Sequence, residues 1–266
     1  MSDASNTERF TGLAETYAKF RPTYPDDALA AIGGFWGIGG PVPKRLVDVG
    51  AGTGISTRAL FNALGGAASG WEVHLVEPND DMREQAKAVV KDLPGIAVVD
   101  AQAESLPFSA SRVGLLNAAQ AAHWFDRPRF YDEAKRVLAP GGTLCILYNN
   151  RSLFDDPLMA AFESLVEETA SSYKRNYRSW DLMSELNALD WAAEVTEQIR
   201  PWVWKVPPEA FAGLMLSRSK MRPFVDVHGP DHARALIIDL AVRHANADGT
   251  VDILYQTQAG LVRKRA

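Results

Sequence analysis

Residues 46–54, LVDVGAGTG, constrain the fold of this chain more than any other stretch of its sequence. The segment begins like an apolar strand and ends in a turn with alternating glycines, Gly50, Gly52 and Gly54. Glycine tolerates positive φ and has no Cβ, so backbone can approach a ligand closely. Residues 55–60 are typical of a helix start, whose first N–H groups lack helical partners. The segment therefore predicts a strand–turn–helix unit that holds the polar part of a nucleotide-like cofactor.

The following residues alternate between strand and helix patterns. Strands are expected at 45–49, 72–77, 96–99, 113–117 and 143–148, with helices at 55–64, 79–92 and 128–138. This order predicts a parallel sheet with helices on both faces and a ligand at the carboxyl ends of its strands. A helix start is expected near Asp26, and a loop over 33–43. Farther on, we expect helices at 157–173, 208–217 and 230–245, and long strands at 195–206 and 251–262 that could pair at the sheet edge.

Composition narrows the possible partners. The net charge is −5 and the pI about 5.6, which argues against a nucleic-acid partner. No apolar run is long enough to span a bilayer and no signal peptide is apparent, so a soluble cytoplasmic protein is expected. Cys145 is the single cysteine and is expected to be a buried hydrophobe. No Cys/His cluster has metal-ligand spacing, so no metal site is predicted.

The glycine spacing departs from the dinucleotide fingerprint, whose third glycine lies three residues after the second. The G-x-G-x-G spacing, with Asp48 two residues ahead of it, resembles motif I of the class I S-adenosylmethionine (SAM) methyltransferases. In that family the turn packs beneath the methionine half of SAM. A second acidic position fits as well, because Glu77 ends the second strand, where a carboxylate can accept hydrogen bonds from ribose hydroxyls.

Three further segments carry the same resemblance. AQAESLPF at 101–108 is similar to the segment after strand three in many small-molecule methyltransferases, with Gln102 where an Asp is usual. A neutral amide would hold the adenine amino group less strongly than a carboxylate. RVLAPGGTL at 136–144 matches the family's helix–turn–strand junction, and AHWF at 122–125 resembles a subgroup that includes trans-aconitate methyltransferase-like enzymes. The resemblance covers residues 10–150 well and the rest only in general layout.

The resemblance implies a Rossmann-like α/β fold with a mostly parallel seven-stranded sheet, helices on both faces and a helical cap. It implies one methyltransferase domain over 1–266, with an N-terminal helical lid (1–40), a SAM-binding core (41–150) and acceptor-binding cap helices and edge strands (151–266). It assigns cofactor binding to Asp48, Gly50, Ala51, Gly52, Gly54, Glu77, Pro78, Gln102, Ala103, Glu104, Asn117, Gln120, Tyr17 and Arg21. For Tyr17 and Arg21, in the segment YAKFRPTYP, a role as a structural anchor stays open.

The catalytic candidates follow strands four and five. His123 is a possible general base because imidazole titrates near neutral pH, although a packing role beside Trp124 is favoured. Tyr148 and Asn149 close strand five and are expected to face the acceptor. Four tryptophans in the cap suit an aromatic acceptor or core packing: Trp180, Trp191, Trp202 and Trp204.

The sequence thus predicts methyl transfer from SAM to O, N or C of a small molecule, which could be aromatic or a carboxylate. The protein is expected to be a monomer or a homodimer. Two other functions stay open. A dinucleotide-dependent oxidoreductase is disfavoured by the glycine spacing and by the absence of a Tyr-x-x-x-Lys pair. A SAM-binding protein without catalytic activity would keep the glycine turn and Glu77, but would have an occluded acceptor pocket.

Overall fold

The computed structural model describes residues 21–37, 42–151, 156–169 and 180–266. The strands are β1 (Arg45–Val49), β2 (Glu72–Val76), β3 (Ile96–Val99), β4 (Val113–Ala119), β5 (Leu138–Arg151), β6 (Ala192–Val206) and β7 (Val251–Lys264). The helices are α1 (Asp26–Gly37), α2 (Ile55–Ala63), α3 (Asp80–Val90), α4 (Arg127–Val137), α5 (Pro157–Thr169), α6 (Leu182–Asn187), α7 (Pro208–Leu216), α8 (Arg222–His228) and α9 (Pro230–Arg243). Short 3₁₀ helices occur at Gly66–Ser69, Ala122–Trp124 and Ser219–Met221.

All seven strands form one sheet in the order β3-β2-β1-β4-β5-β7-β6. The pairs from β3 to β5 are parallel, whereas β7 runs antiparallel to both β5 and β6. The α/β architecture is therefore confirmed, and the sheet is mixed rather than wholly parallel. The expected pairing of the two long late strands is also confirmed, since β6 and β7 pair from Ala192 opposite Lys264 to Val206 opposite Val251.

Several element boundaries differ from the sequence-based prediction. Helix α1 continues to Gly37 through two glycines that suggested a loop, because Ile32 and Phe35 are buried against the sheet. Burial of this kind outweighs the low helix propensity of glycine. Strand β5 is longer than predicted, and the short helices α6 and α8 were not predicted at all. Short helices carry too few turns for a clear apolar period.

The buried side chains of the described residues form four clusters, of which the smallest packs α3 against β2 and the other three cover more of the sheet. One lies between the sheet and helices α4 and α6, and a second packs α1 and α2 against the other face. A third joins α5, α7, α8 and α9 to the early part of β7 and the end of β6. Cys145 is fully buried in the second cluster, and burial raises the pKa of its thiol. No helix in the described ranges is both long and apolar enough to cross a membrane.

Candidate functional site

The three glycines of the turn all adopt positive φ, with values of 62° at Gly50, 56° at Gly52 and 82° at Gly54. Two of them pack tightly on protein. A Cβ at Gly50 would lie 2.8 Å from Ala121 Cβ, and one at Gly54 would lie 2.9 Å from Leu75 Cδ1. A Cβ at Gly52 would have no neighbour within 4 Å. Gly52 is thus the glycine whose Cα faces open space, where a ligand can approach the backbone.

Asp48 lies beneath the turn and is fully buried. Its carboxylate accepts hydrogen bonds from Ser56 Oγ (2.6 Å), Thr57 Oγ1 (2.6 Å) and Asn117 Nδ2 (2.7 Å). Burial raises the pKa of Asp48, and these three hydrogen bonds oppose the rise. Asp48 and Asn117 were predicted to bind the cofactor; the structure instead has them join β1, the start of α2 and β4 under the turn. Ser56 and Thr57 were missed, although two hydroxyl residues in the first turn of the helix after the glycines were a usable signal.

Glu77 follows β2 and faces the turn from the neighbouring strand. Its Oε2 accepts from the backbone N–H of Gly52 (2.9 Å) and its Oε1 from that of Asn79 (3.0 Å). Burial raises the pKa of this carboxyl group, while both backbone hydrogen bonds lower it. Pro78 stands between Glu77 and Asn79, whose side chain caps α3 by accepting from Met82 N. Glu77 and Gly52 are therefore joined by a direct hydrogen bond and form one structural unit at the turn.

The segment after β3 forms a turn in which the N–H of Ser105 donates to the carbonyl oxygen of Gln102 (3.2 Å). Gln102 is exposed and Ala103 is buried. Glu104 Oε1 accepts from the backbone N–H of Asp126 (2.7 Å), so this side chain ties the turn to the start of α4. Gln102 is one of the exposed residues of this segment, together with Ser105 and Pro107, and its amide is accessible to a ligand.

Gln120 directly follows β4 and has a conformation that non-glycine residues seldom adopt, with φ 56°. Its backbone N–H donates to Leu147 O (2.8 Å) and its Nε2 to Asn149 O (3.0 Å). Strained backbone of this kind is concentrated at functional sites, because surrounding contacts must hold it in place. The next residue, Ala121, packs against Gly50, so Gln120 lies close to the glycine turn.

His123 and Tyr148 contact each other at the ends of β4 and β5. The Tyr148 hydroxyl oxygen accepts from the backbone N–H of His123 (3.1 Å) and lies 3.2 Å from His123 Nδ1. The phenolic proton can then be donated to Nδ1, which leaves the proton of a neutral imidazole on Nε2. Trp180 packs edge-on against Tyr148, with ring centroids 5.8 Å apart. This arrangement favours a packing role for His123 over a general-base role.

Trp180 belongs to a network that sequence reasoning missed. The Arg127 guanidinium lies 4.4 Å from the centre of the Trp180 ring and forms an ion pair with Glu185 at 2.8 Å. Tyr131 Oη donates to the same carboxylate (3.1 Å). Burial and this carboxylate raise the pKa of Tyr131. The network fixes α4 to α6 and thereby holds the aromatic ring beside Tyr148.

Asn149 was predicted to orient the acceptor, but both polar atoms of its side chain have protein partners. Nδ2 donates to Thr23 O (3.1 Å), and Oδ1 accepts from Thr257 Oγ1 (2.6 Å). The structure therefore has Asn149 link the segment before α1 to β5 and β7. Of the two N-terminal candidates, Tyr17 lies outside the described residues, and Arg21 is half-buried at the start of the segment that leads to α1.

Within the described residues, no group of three His, Cys, Asp or Glu side chains could hold a metal ion. The polar groups brought together at the strand ends are instead backbone N–H groups, carboxylates and aromatic hydroxyls. Such groups suit an organic ligand with hydroxyl and amino functions.

Comparison with known families agrees with this site. A family model described as a methyltransferase domain matches residues 47–146. An uncharacterized methyltransferase from Mycobacterium tuberculosis is 32% identical over 142 residues, which are 53% of this chain and 52% of that protein. A malonyl-[acyl-carrier protein] O-methyltransferase from Hahella chejuensis is 35% identical over 115 residues, covering 42% of this chain and 39% of that protein. The chain spans about half the length of the curated relatives it matches.

Solved structures share the fold. A proposed type II methyltransferase from Anaeromyxobacter dehalogenans has a TM-score of 0.64 and 23% identity, over 92% of this chain and 98% of that chain. A phosphoethanolamine N-methyltransferase from Haemonchus contortus, in complex with phosphomonomethylethanolamine and S-adenosylhomocysteine, has a TM-score of 0.56 and 16% identity, over 99% of this chain and 61% of that chain. At these identities the likeness shows the fold alone. The predicted resemblance to class I methyltransferases is confirmed for residues 47–146.

Proposed function

We propose that this chain is a SAM-dependent methyltransferase that transfers a methyl group to O, N or C of a small-molecule acceptor. The observation that carries the proposal is the unit of Gly52 and Glu77. A positive-φ glycine faces open space, and a buried carboxylate from the next strand lies within hydrogen-bond distance of its N–H. The methyltransferase domain match over residues 47–146 supports the same conclusion.

The residues at the strand ends fit SAM as the cofactor. The open face of Gly52 lets the methionine half approach the backbone, and Glu77 has acceptor capacity left for ribose hydroxyls, because each carboxylate oxygen can accept more than one hydrogen bond. Gln102 and the backbone of Ala103 would meet the adenine. Gly50, Ala51, Gly54 and Gln120 would shape the turn around the ligand, while Asp48 and Asn117 support it from below.

Bound SAM supplies a methyl group already activated by its positive sulfur. The protein's task is then to position the acceptor in line and to exclude water. His123, Tyr148 and Trp180 would form the wall against which the acceptor packs. A general base is needed only for an acceptor whose proton is held tightly, and the hydrogen bond from Tyr148 favours a packing role for His123.

The AHWF segment supports the finer assignment to a subgroup similar to trans-aconitate methyltransferase-like enzymes, and the acceptor would then be an aromatic molecule or a carboxylate. In this proposal residues 41–150 bind SAM, residues 151–266 form the acceptor side, and residues 1–40 form a lid. The hydrogen bond from Asn149 Nδ2 to Thr23 O supports the lid assignment, because it joins the N-terminal segment to β5, the strand nearest the proposed acceptor.

Isothermal titration calorimetry with S-adenosylhomocysteine and with NADH tests the proposal directly. We expect micromolar binding of S-adenosylhomocysteine and no binding of NADH. Binding of NADH alone would favour an oxidoreductase and overturn the proposal. A screen of carboxylates, phenols and heterocyclic amines with isotopically labelled SAM then separates an enzyme from a protein that only binds SAM.

A further inference from the structure

A second polar cluster lies past the end of β4, outside the site described above. Strand β4 ends at Ala119, opposite Leu147, whereas β5 continues to Arg151, so residues 148–151 border the space beyond β4. Arg151 is the register partner of Tyr255 on β7. The cluster therefore lies on the acceptor side of the sheet, about 10 Å along β5 from Tyr148 at the usual rise per residue.

Two guanidinium groups converge in this cluster. Arg151 Nη1 lies 3.7 Å from Met215 Sδ, and Arg218 Nη1 lies 3.5 Å from the same sulfur atom. The two nitrogens can be no farther apart than these two distances together. A guanidinium pair at this separation can bind the oxygens of one carboxylate or phosphate group from two sides.

Among the described residues, the ion pairs of this cluster meet at Glu163. The buried carboxylate of Glu163 lies 3.2 Å from Arg218 Nη2 and 3.9 Å from Lys220 Nζ, so one anion faces two cations. The carboxylate of Asp156 accepts from the backbone N–H groups of Met159 and Leu254. In the part of the chain that the structure describes, no carboxylate oxygen lies within 4.0 Å of the Arg151 guanidinium.

A buried tyrosine belongs to the same cluster. Tyr255 is the register partner of Arg151 and stacks on Trp202, with ring centroids 4.9 Å apart. Burial raises the pKa of Tyr255, and the charges of Arg151, Arg21 and Arg218 oppose that rise.

We propose that Arg151 and Arg218 bind the anionic group of the acceptor, a carboxylate or a phosphate. The inference rests on the proposed function, because it takes the space beyond β4 as the acceptor site. Arg151 is half-buried with no carboxylate oxygen within 4.0 Å among the described residues, and an anionic ligand would offset the cost of holding its charge partly out of water. Tyr148 and Arg151 lie on opposite faces of β5, so an acceptor anchored here would pass over the sheet edge beyond the end of β4 to present its reactive atom beside Tyr148.

Calorimetric titration with malonate and with inorganic phosphate, in saturating S-adenosylhomocysteine and at constant ionic strength set with chloride, tests the site. We expect the wild-type protein to bind one of the two probes, and Arg151→Gln to weaken that binding at least tenfold. Arg151→Lys keeps the charge without the planar fork and should retain part of the affinity. Arg222→Gln is the matched control, because that side chain is 82% exposed and pairs only with Asp226 among the described residues.

The preferred probe identifies the acceptor's anionic group as a carboxylate or a phosphate. Equal binding by the wild type and Arg151→Gln, or no binding of either probe to the wild type, would overturn the inference. Arg151→Lys replaces the glutamine variant in this comparison if circular dichroism shows that Arg151→Gln is unfolded.

Binding of S-adenosylhomocysteine, measured separately, distinguishes this inference from the proposed function. Arg151→Gln should bind it as tightly as the wild type, and a loss of more than about fivefold would assign the arginine to the cofactor instead. Probe binding that depends on Arg151 in a protein that does not bind S-adenosylhomocysteine would refute the proposed function and leave the anion site standing.

Discussion

Residues 45–151 and residues 156–264 share one sheet but present their polar groups in different ways. In the first region the site is formed by backbone: three positive-φ glycines, N–H groups bound by Glu77, and a turn held from below by Asp48. In the second region an apolar cluster supports long side chains, such as Arg218 and Trp202, that reach toward the strand ends. Backbone geometry tolerates few substitutions, whereas packed apolar side chains can be exchanged more freely. The family model accordingly ends at residue 146.

The largest effect on the free energy of unfolding is expected when one buried polar network is removed from each region and the two losses are compared. Asp48→Ala removes the acceptor of three hydrogen bonds and should lower the free energy of unfolding by about 3 kcal/mol. It should also abolish binding of S-adenosylhomocysteine. Thr257→Val removes a hydroxyl bound to Asn149 and Trp202 and should cost about 1 kcal/mol. Urea unfolding measures both variants, and equal losses would break the contrast between the regions.

Glycine substitutions separate backbone strain from ligand binding. Gly52 and Gly249 have positive φ, 56° and 80°, and neither has an atom within 4 Å of an added Cβ. Replacing either by Val should cost about 1–2 kcal/mol of stability through the same backbone strain. Gly52→Val alone should weaken binding of S-adenosylhomocysteine about a hundredfold, or ~2.7 kcal/mol, because its side chain enters the ligand space. Unchanged affinity in calorimetry would refute this placement of the turn.

Glu77→Gln tests whether the ribose partner must be charged. The loss of a charge-assisted acceptor should weaken binding of S-adenosylhomocysteine by about 1.5–2 kcal/mol at neutral pH. Because burial raises the pKa of Glu77, lowering the pH through that value protonates the wild-type carboxylate and should reduce its affinity toward that of the variant. Calorimetry at several pH values between about 4.5 and 7.5 follows this convergence. Parallel curves would show that Glu77 does not contact the ligand.

The smallest expected effect is on turnover. With His123 in a packing role, His123→Ala should lower kcat less than about tenfold, or ~1.4 kcal/mol. Tyr148→Phe keeps the ring and removes the hydroxyl, so it should be milder still. Steady-state kinetics with an acceptor found by screening measures both. A loss of about a hundredfold in His123→Ala alone would establish a general base.

Sequence reasoning succeeded best where a local rule decides the structure. Strand β1 is found at Arg45–Val49 as predicted, and α3 begins after Asn79, whose side chain caps it. Glycine spacing predicted the turn because only glycine readily adopts its backbone angles. The same rules do not reveal that α1 continues through Gly33, since that depends on burial of Phe35 by residues distant in the sequence.

Side-chain roles were less predictable than strand positions. Asn149 follows a strand, as an acceptor-binding residue would, yet its amide is occupied by Thr23 and Thr257. Arg151 and Arg218 gave no sequence signal, because they lie 67 positions apart and are brought together by contacts of the folded chain such as those with Met215. Contacts between distant residues depend on the tertiary fold, and a single sequence does not specify them.

The place of β7 between β5 and β6 sets an order for folding. Among the described strands β6 pairs with β7 alone, so during synthesis it must wait until the ribosome has released β7, a few seconds at about 5–20 residues per second. Until then it exposes unpaired backbone beside Ile199 and Val203, which remain 45% and 48% exposed in the folded protein. Unpaired strands are sites of aggregation. Because β7 is inserted between β5 and β6, we expect the yield of folded protein to depend on how quickly β6 and β7 pair.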